Sequence, residues 1–337
     1  MKTLDELMLN RRQVLALGLG AVATAGLAAC GNSGSAPEDT ASTASTADAT
    51  SAAPLEDEQE APAVDAAAYD ALIAAGTVAD AAVIDANAWA KKIKDAGKIR
   101  IGGVKTSTFF ALENLEDGTV RGFDAGIYQL LTRYILGDEK KNEVTQVTSD
   151  TRESVLTNDQ VDAVFATYSI TDDRKKLIDF AGPYYTSQQS ILVKKDNTGI
   201  TSLADLDGKN VAVQSGSTGP TIMEQLAPKA VLSEFSTDEE ARTALEQGRV
   251  DAYVIDNTMQ MGAVARNPSK YKIVGEPFGP EDPYGIGLSK DSAGAVEFVN
   301  QFLTELEASG TWANLWQITI GDRIGQTTAP EPPKIGA

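Results

Sequence analysis

Asp162-Ala-Val-Phe-Ala-Thr-Tyr-Ser-Ile-Thr-Asp-Asp-Arg-Lys-Lys-Leu-Ile-Asp-Phe-Ala-Gly-Pro-Tyr-Tyr185 is the stretch on which the fold turns. It begins inside an apolar run, Val161 to Ala166, short enough for a buried strand, and passes into hydroxyls and acids before reaching Arg174. Working outward, similar β-rich runs lie at Ile99 to Val104, Ser190 to Lys194, Asn210 to Val213, Ala252 to Ile255 and Tyr284 to Leu288. Between them Phe123, Ile127, Leu130, Leu131, Tyr134 and Ile135 recur at three and four residues, which predicts a helix with one core-facing stripe. Thr237 and Glu240 form a capping box that opens a helix through Leu245, stopped at Gly248 just before the Ala252 strand. Strands alternating with helices predict an α/β fold with mostly parallel strands, in which ligands sit beyond the carboxyl ends of strands.

The chain has 337 residues, enough for two lobes once its ends are set aside. Lys and Arg number 29 against 48 Asp and Glu, a formal net charge of -19, and no long basic tract appears, so no nucleic-acid partner is expected. There is no histidine, which removes the commonest general base and zinc ligand and every Ser-His or Cys-His nucleophile. Carboxylate- or lysine-based chemistry and a hard-metal oxygen site survive that filter, yet no residue set points to either; no catalytic residue, metal or cofactor is expected. Cys30 is the only cysteine, so no disulfide is possible within the chain.

Residues 1–29 have the layout of an export signal: Arg11 and Arg12, then the apolar stretch Val14 to Ala29, too short to span a bilayer comfortably. Leu27-Ala28-Ala29-Cys30 resembles a bacterial lipobox, which makes Cys30 the expected site of lipid attachment and two acyl chains the membrane anchor. Arg11-Arg12-Gln13-Val14-Leu15 resembles both a twin-arginine motif and an ordinary secretory signal. Residues 30–65 are rich in Ala, Ser, Thr, Pro and acids, the composition of a disordered tether. Residues 66–97 regain apolar side chains at partly helical spacing and are expected to be a helical extension on the first lobe.

Three strand ends carry ligand-type chemistry. After Ala166 come Thr167, Tyr168, Ser169 and then Arg174, whose planar guanidinium suits a carboxylate; the plainer alternative is a surface pair with Asp172 or Asp173. After Val213 the loop Gln214-Ser215-Gly216-Ser217-Thr218-Gly219 offers N–H groups, although such turns are often merely structural. After Ile255 comes Asp256, a partner for an ammonium group or, more plainly, a helix N-cap toward Thr258 or Met259. One guanidinium, one carboxylate and several hydroxyls match a zwitterionic amino acid better than a phosphate or a sugar.

The 162–185 segment closely resembles the signature of the polar amino-acid solute-binding proteins of ABC importers, family 3, and Gly122-Phe123-Asp124 matches the family's other marker. The resemblance runs from about Ile99 to Trp316. It implies the two-lobed periplasmic-binding-protein type II fold, with two hinge crossovers and the ligand in the inter-lobe cleft. Lobe 1 would take residues 98–187 and 285–325, lobe 2 residues 188–284, and residues 326–337 a tail. It further implies Arg174 on the α-carboxylate and Asp256 on the α-ammonium, with Ser169, Thr167, Tyr168, Ser217 and Thr218 completing the cage. Several local matches resemble the glutamate-binding lipoproteins of Gram-positive bacteria, which would bring Lys105 and Arg152 to a side-chain carboxylate. The family's aromatic sandwich is interrupted by Ser149 and Asp150, leaving Phe109, Phe110 or Tyr168 to substitute.

The function so implied is an extracellular, lipid-anchored, monomeric binding protein that captures a polar amino acid and delivers it to a permease. Glutamate is favoured, followed by aspartate or glutamine. The competing readings are a dehydratase-like lyase on the same fold, or a ligand-sensing receptor subunit.

Overall fold

The computed structural model describes residues 62–336; the expected export signal, Cys30 and most of the acidic linker lie outside the described residues. The strands are β1 (Ile99–Gly103), β2 (Thr106–Ser107), β3 (Ala111–Glu113), β4 (Val120–Arg121), β5 (Asn142–Gln146), β6 (Ala163–Phe165), β7 (Asp179–Lys194), β8 (Asn210–Gln214), β9 (Val231–Phe235), β10 (Ala252–Asp256) and β11 (Tyr271–Leu288). One sheet runs in the order β5-β1-β6-β11-β7-β10-β8-β9, and β2, β3 and β4 form a small second sheet.

The large sheet is two parallel half-sheets joined at their middle. β5, β1 and β6 run parallel in one half, and β10, β8 and β9 run parallel in the other. β7 and β11 pair antiparallel along their length and serve both halves, β11 bonding β6 and β7 bonding β10. These two long strands are the crossings of a two-lobed α/β fold of the periplasmic-binding-protein type II class. Their pairing shifts register between Val274 and Phe278 and again before Asp282, where Gly275, Pro277, Gly279 and Pro280 interrupt the ladder.

Helices cover both faces of each half. In the second half Ile191, Val193, Val211 and Val213 pack on one face, while Leu192, Ala212 and Tyr253 pack on the other, the alternation expected of a sheet buried on both sides. In the first half every member of the predicted Phe123–Ile135 stripe is buried in the helix Phe123–Leu136. Three helices, Ala66–Ala74, Ala81–Asp85 and Ala88–Ala96, precede β1 and bury Tyr69, Ile73, Ile84, Trp89 and Ile93 in the same core. Each of those large apolar side chains contributes about 1.5–3 kcal/mol on burial. Asp70 on the first helix also forks onto Arg121, with Nε–Oδ1 2.9 Å and Nη2–Oδ2 2.8 Å. Among the described residues no helix is long and apolar enough to cross a membrane.

Candidate ligand-binding seam

The carboxyl ends of β6, β8 and β10 face one another where the halves meet, and the chain places polar side chains there. Arg174 lies on the short helix Asp172–Lys175, capped by Thr171, whose Oγ1 accepts from the Arg174 N–H at 3.3 Å. The guanidinium is not a surface group paired with Asp172 or Asp173. It is buried, 9 % exposed, with Nη1 donating to the Ser169 carbonyl at 2.8 Å and Nη2 to the Gly216 carbonyl at 2.7 Å. Glu153 Oε1 is 3.5 Å from its Nε. Since Gly216 follows β8 and Ser169 follows β6, this one side chain bridges the halves.

Arg152, 3 % exposed, joins it. Its Nη1 donates to the Ala166 carbonyl at 3.0 Å, its Nη2 reaches the Gly216 carbonyl at 3.4 Å, and its buried Nε has no hydrogen-bond partner. The Tyr168 ring lies beneath both cations, 4.1 Å from the Arg152 guanidinium carbon and 5.1 Å from that of Arg174. Burial, with the neighbouring Arg174 charge adding to it, lowers the Arg152 pKa to about 10.

Asp256 ends β10 on the other side. It occupies the N-cap position of the helix Asn257–Arg266, but its side chain makes no capping bond. Instead Oδ1 accepts from Gln189 Nε2 at 2.6 Å and Oδ2 from the Tyr284 hydroxyl at 2.6 Å. Thr218 Oγ1 accepts from the same Gln189 amide at 3.4 Å and donates to Asp282 Oδ2 at 3.0 Å. Asp282 also lies close enough to Ser169 and to the Arg174 charge for both to favour its ionised form. The two predicted poles, Arg174 and Asp256, are thereby linked through Ser169, Asp282, Thr218 and Gln189 in one buried polar network. Desolvation raises the pKa of Asp256 and of Asp282.

The other predicted residues divide. Ser217 sits in the loop, donating to the Gln214 carbonyl at 2.7 Å and accepting from the Gly219 N–H at 3.2 Å. Thr167 lies at the seam with φ +43, a strained conformation for a β-branched residue; its N–H goes to Asp124 Oδ2 at 2.9 Å and its Oγ1 to the Ala166 carbonyl at 2.8 Å. Lys105 is not brought to the seam. Val104 and Thr106 face the cleft beside Arg152, so the alternation of an extended chain sends Lys105 outward, where Nζ pairs with Glu113 Oε1 at 3.3 Å. Phe109 and Phe110 are core residues.

Several seam residues escaped the sequence reading. Asp282 and Gln189 lie within β11 and β7, just outside the runs read as strands. Asp150, taken only as an interruption of an aromatic position, accepts from Ser215 Oγ of the opposite half. Beside it Gly216 has φ +67, and a Cβ there would lie 2.9 Å from the Asp150 backbone nitrogen, so only glycine fits. A cavity of about 70 Å³ lies between the halves, lined by Arg152, Thr148, Thr167, Gln214 and Asp238 among others. A larger one, about 570 Å³, lies outside the seam on the first half, against Asp70, Lys105, Tyr128, Glu139 and Lys140.

Two parallel half-sheets bridged by paired crossings, with a buried charged seam between them, define a two-lobed solute-binding protein. The chain belongs to the bacterial extracellular solute-binding proteins, family 3, matched over residues 99–320. It is 38% identical to the ABC transporter glutamine-binding protein GlnH of Bacillus subtilis over 227 residues, covering 67% of this chain and 82% of that one. It is 30% identical to the glutamate-binding protein GluB of Corynebacterium efficiens, covering 67% of this chain and 80% of that one. Among solved structures, the solute receptor for L-cysteine of Neisseria gonorrhoeae superposes with a TM-score of 0.68 at 25% identity, covering 73% of this chain and 99% of that one. The family match begins at residue 99, so the three helices of residues 66–97 precede it.

Proposed function

We propose that this protein captures a polar amino acid in the seam and delivers it to the permease of an ABC importer, with glutamine ranked ahead of glutamate. The observation that carries the reading is the buried network joining Arg174 of one half to Asp256 of the other. A guanidinium at one end and a carboxylate at the other suit the carboxylate and ammonium of one zwitterion. Ligand contacts made only when the halves meet stabilise the closed form, and the closed surface is what a permease reads. The export signal and Cys30 extend the reading to a lipid anchor at the outer face of the cell membrane.

The ranking of glutamine over glutamate departs from the order expected from sequence. Of the two cations assigned to a side-chain carboxylate, Lys105 is engaged elsewhere. The small cavity beside Arg152 offers donors and also an acceptor, the buried Asp238 Oδ1, which has no hydrogen-bond partner. A carboxamide both accepts and donates, whereas a carboxylate would meet Asp238 as a like charge. The relatives named for glutamine and for glutamate are both compatible with this site, and the glutamine-binding one is the more similar.

Calorimetric titration with a panel of free amino acids tests the reading. Glutamine is expected to bind with a Kd of about 1 μM or below, and glutamate about tenfold more weakly. Turnover of a bound amino acid would favour the lyase instead, and indifference to every polar amino acid would sink the capture function.

A further inference from the structure

Asp282 lies on β11 at the crossing, opposite Ser187 of β7, and it is 5 % exposed. It accepts from Thr218 of the second half, and Ser169 of the first half and the Asp256 carboxyl lie close enough to act on its charge. Gln189, fully buried, reaches Asp256 and Thr218 through Nε2, while its Oε1 has no hydrogen-bond partner. Two carboxylates and one unpartnered amide oxygen therefore belong to a single buried cluster. That is a surplus of acceptors, and an ammonium group, with three N–H donors and no acceptor, is the chemical complement to it.

We propose that Asp282 is a further ligand-binding residue: with Asp256 and Gln189 Oε1 it forms a three-acceptor seat for the ammonium group of the captured amino acid. This rests on the amino-acid reading above and assigns its ammonium end a second anionic partner. The charge balance of the seam supports it. Arg152 and Arg174 face the pair from the first half, with Glu153 beside Arg174, and Tyr284 faces Asp256 from β11. Desolvation raises both carboxyls, and the neighbouring Asp282 charge raises Asp256 further, to about 7, so the cluster keeps a share of one proton near neutral pH. An arriving ammonium takes the place of that proton, which leaves to solvent. The sign follows: the bound state favours the ionised pair, so binding releases a proton and affinity falls as pH is lowered through the pair's raised range.

The test is calorimetry of the wild-type protein and Asp282→Asn with L-glutamine and L-glutamate at pH 6, 7 and 8, in two buffers of different ionisation enthalpy. The wild type is expected to release a fraction of a proton and to bind more weakly at pH 6 than at pH 8. D282N, with its thermal transition retained, is expected to bind about tenfold more weakly and to lose the proton release. D282N binding within about twofold of wild type, with the same proton release, overturns the proposal. If D282N does not fold, Asp282→Ser takes its place under the same two criteria, weaker binding with lost proton release supporting the second carboxylate and wild-type behaviour overturning it. A wild type that binds no amino acid overturns the amino-acid reading itself, a result distinct from one in which wild type and D282N bind alike.

Discussion

The two cavities of this molecule differ in what their charges do. Around the outer one, three of the four lining charges are met close by within the same part of the chain: Lys105 by Glu113, Asp70 by Arg121, Glu139 by Arg133. In the seam, Arg152 leans on neutral carbonyls and Arg174 on two more beside a 3.5 Å approach to Glu153, two of those carbonyl contacts reaching across to Gly216, and acceptors outnumber donors around Asp256 and Asp282. The outer cavity is several times larger, yet most of its lining charges are already paired. The seam retains hydrogen-bonding capacity on both sides of the closure, and that, rather than volume, is what the proposed zwitterion site rests on.

The largest effect that would sharpen this contrast is expected from Arg174→Ala. Removing the guanidinium leaves a bound carboxylate without its buried partner, and calorimetry with glutamine should show a loss of about 100-fold, roughly 3 kcal/mol. Unchanged affinity would erase the distinction between the cavities. A smaller effect is expected from Gly216→Ala, which leaves every charge in place but forces a Cβ at φ +67 against Asp150. It should weaken glutamine by about tenfold through closure alone, while the transitions of the separate cores move little. The smallest belongs to Lys105→Ala, expected to stay within about twofold of wild type. A loss as large as that of R174A would show that the outer cavity, not the seam, receives the ligand.

Most of the fold was legible in the sequence because buried strands and helix stripes must repeat at the period of their element. The runs at Ile99, Val161, Asn210 and Ala252 became β1, β6, β8 and β10, and the Thr237–Glu240 capping box opens its helix, with the Glu240 N–H donating to Thr237 Oγ1 at 3.2 Å. β5 and β9 were missed because they are the edges of the sheet, largely solvated, and carry no apolar alternation to read. β7 and β11 were read at a fraction of their length: Gly182 and Pro183 in one, and the Gly and Pro cluster from Gly275 to Pro283 in the other, look like turns in a linear chain. Only pairing with each other, through shifted register, keeps those segments extended.

The sequence by itself determined the alternation of elements, the buried helix stripe and the placing of Arg174 and Asp256 at strand ends, because each follows from local period and local residue chemistry. It also carried the family, through the 162–185 segment. Tertiary structure alone decided which charges meet. Lys105 and Arg152 were given the same role from the sequence, with Lys105 put first, yet Lys105 turned out to Glu113 while Arg152 stacked on Tyr168. Asp282, unremarkable before Pro283, entered the seam because β11 crosses there. Lys105 lies 8 positions from Glu113 and Asp282 lies 64 from Thr218, meetings set by how the strands pair and cross, and no local period records them.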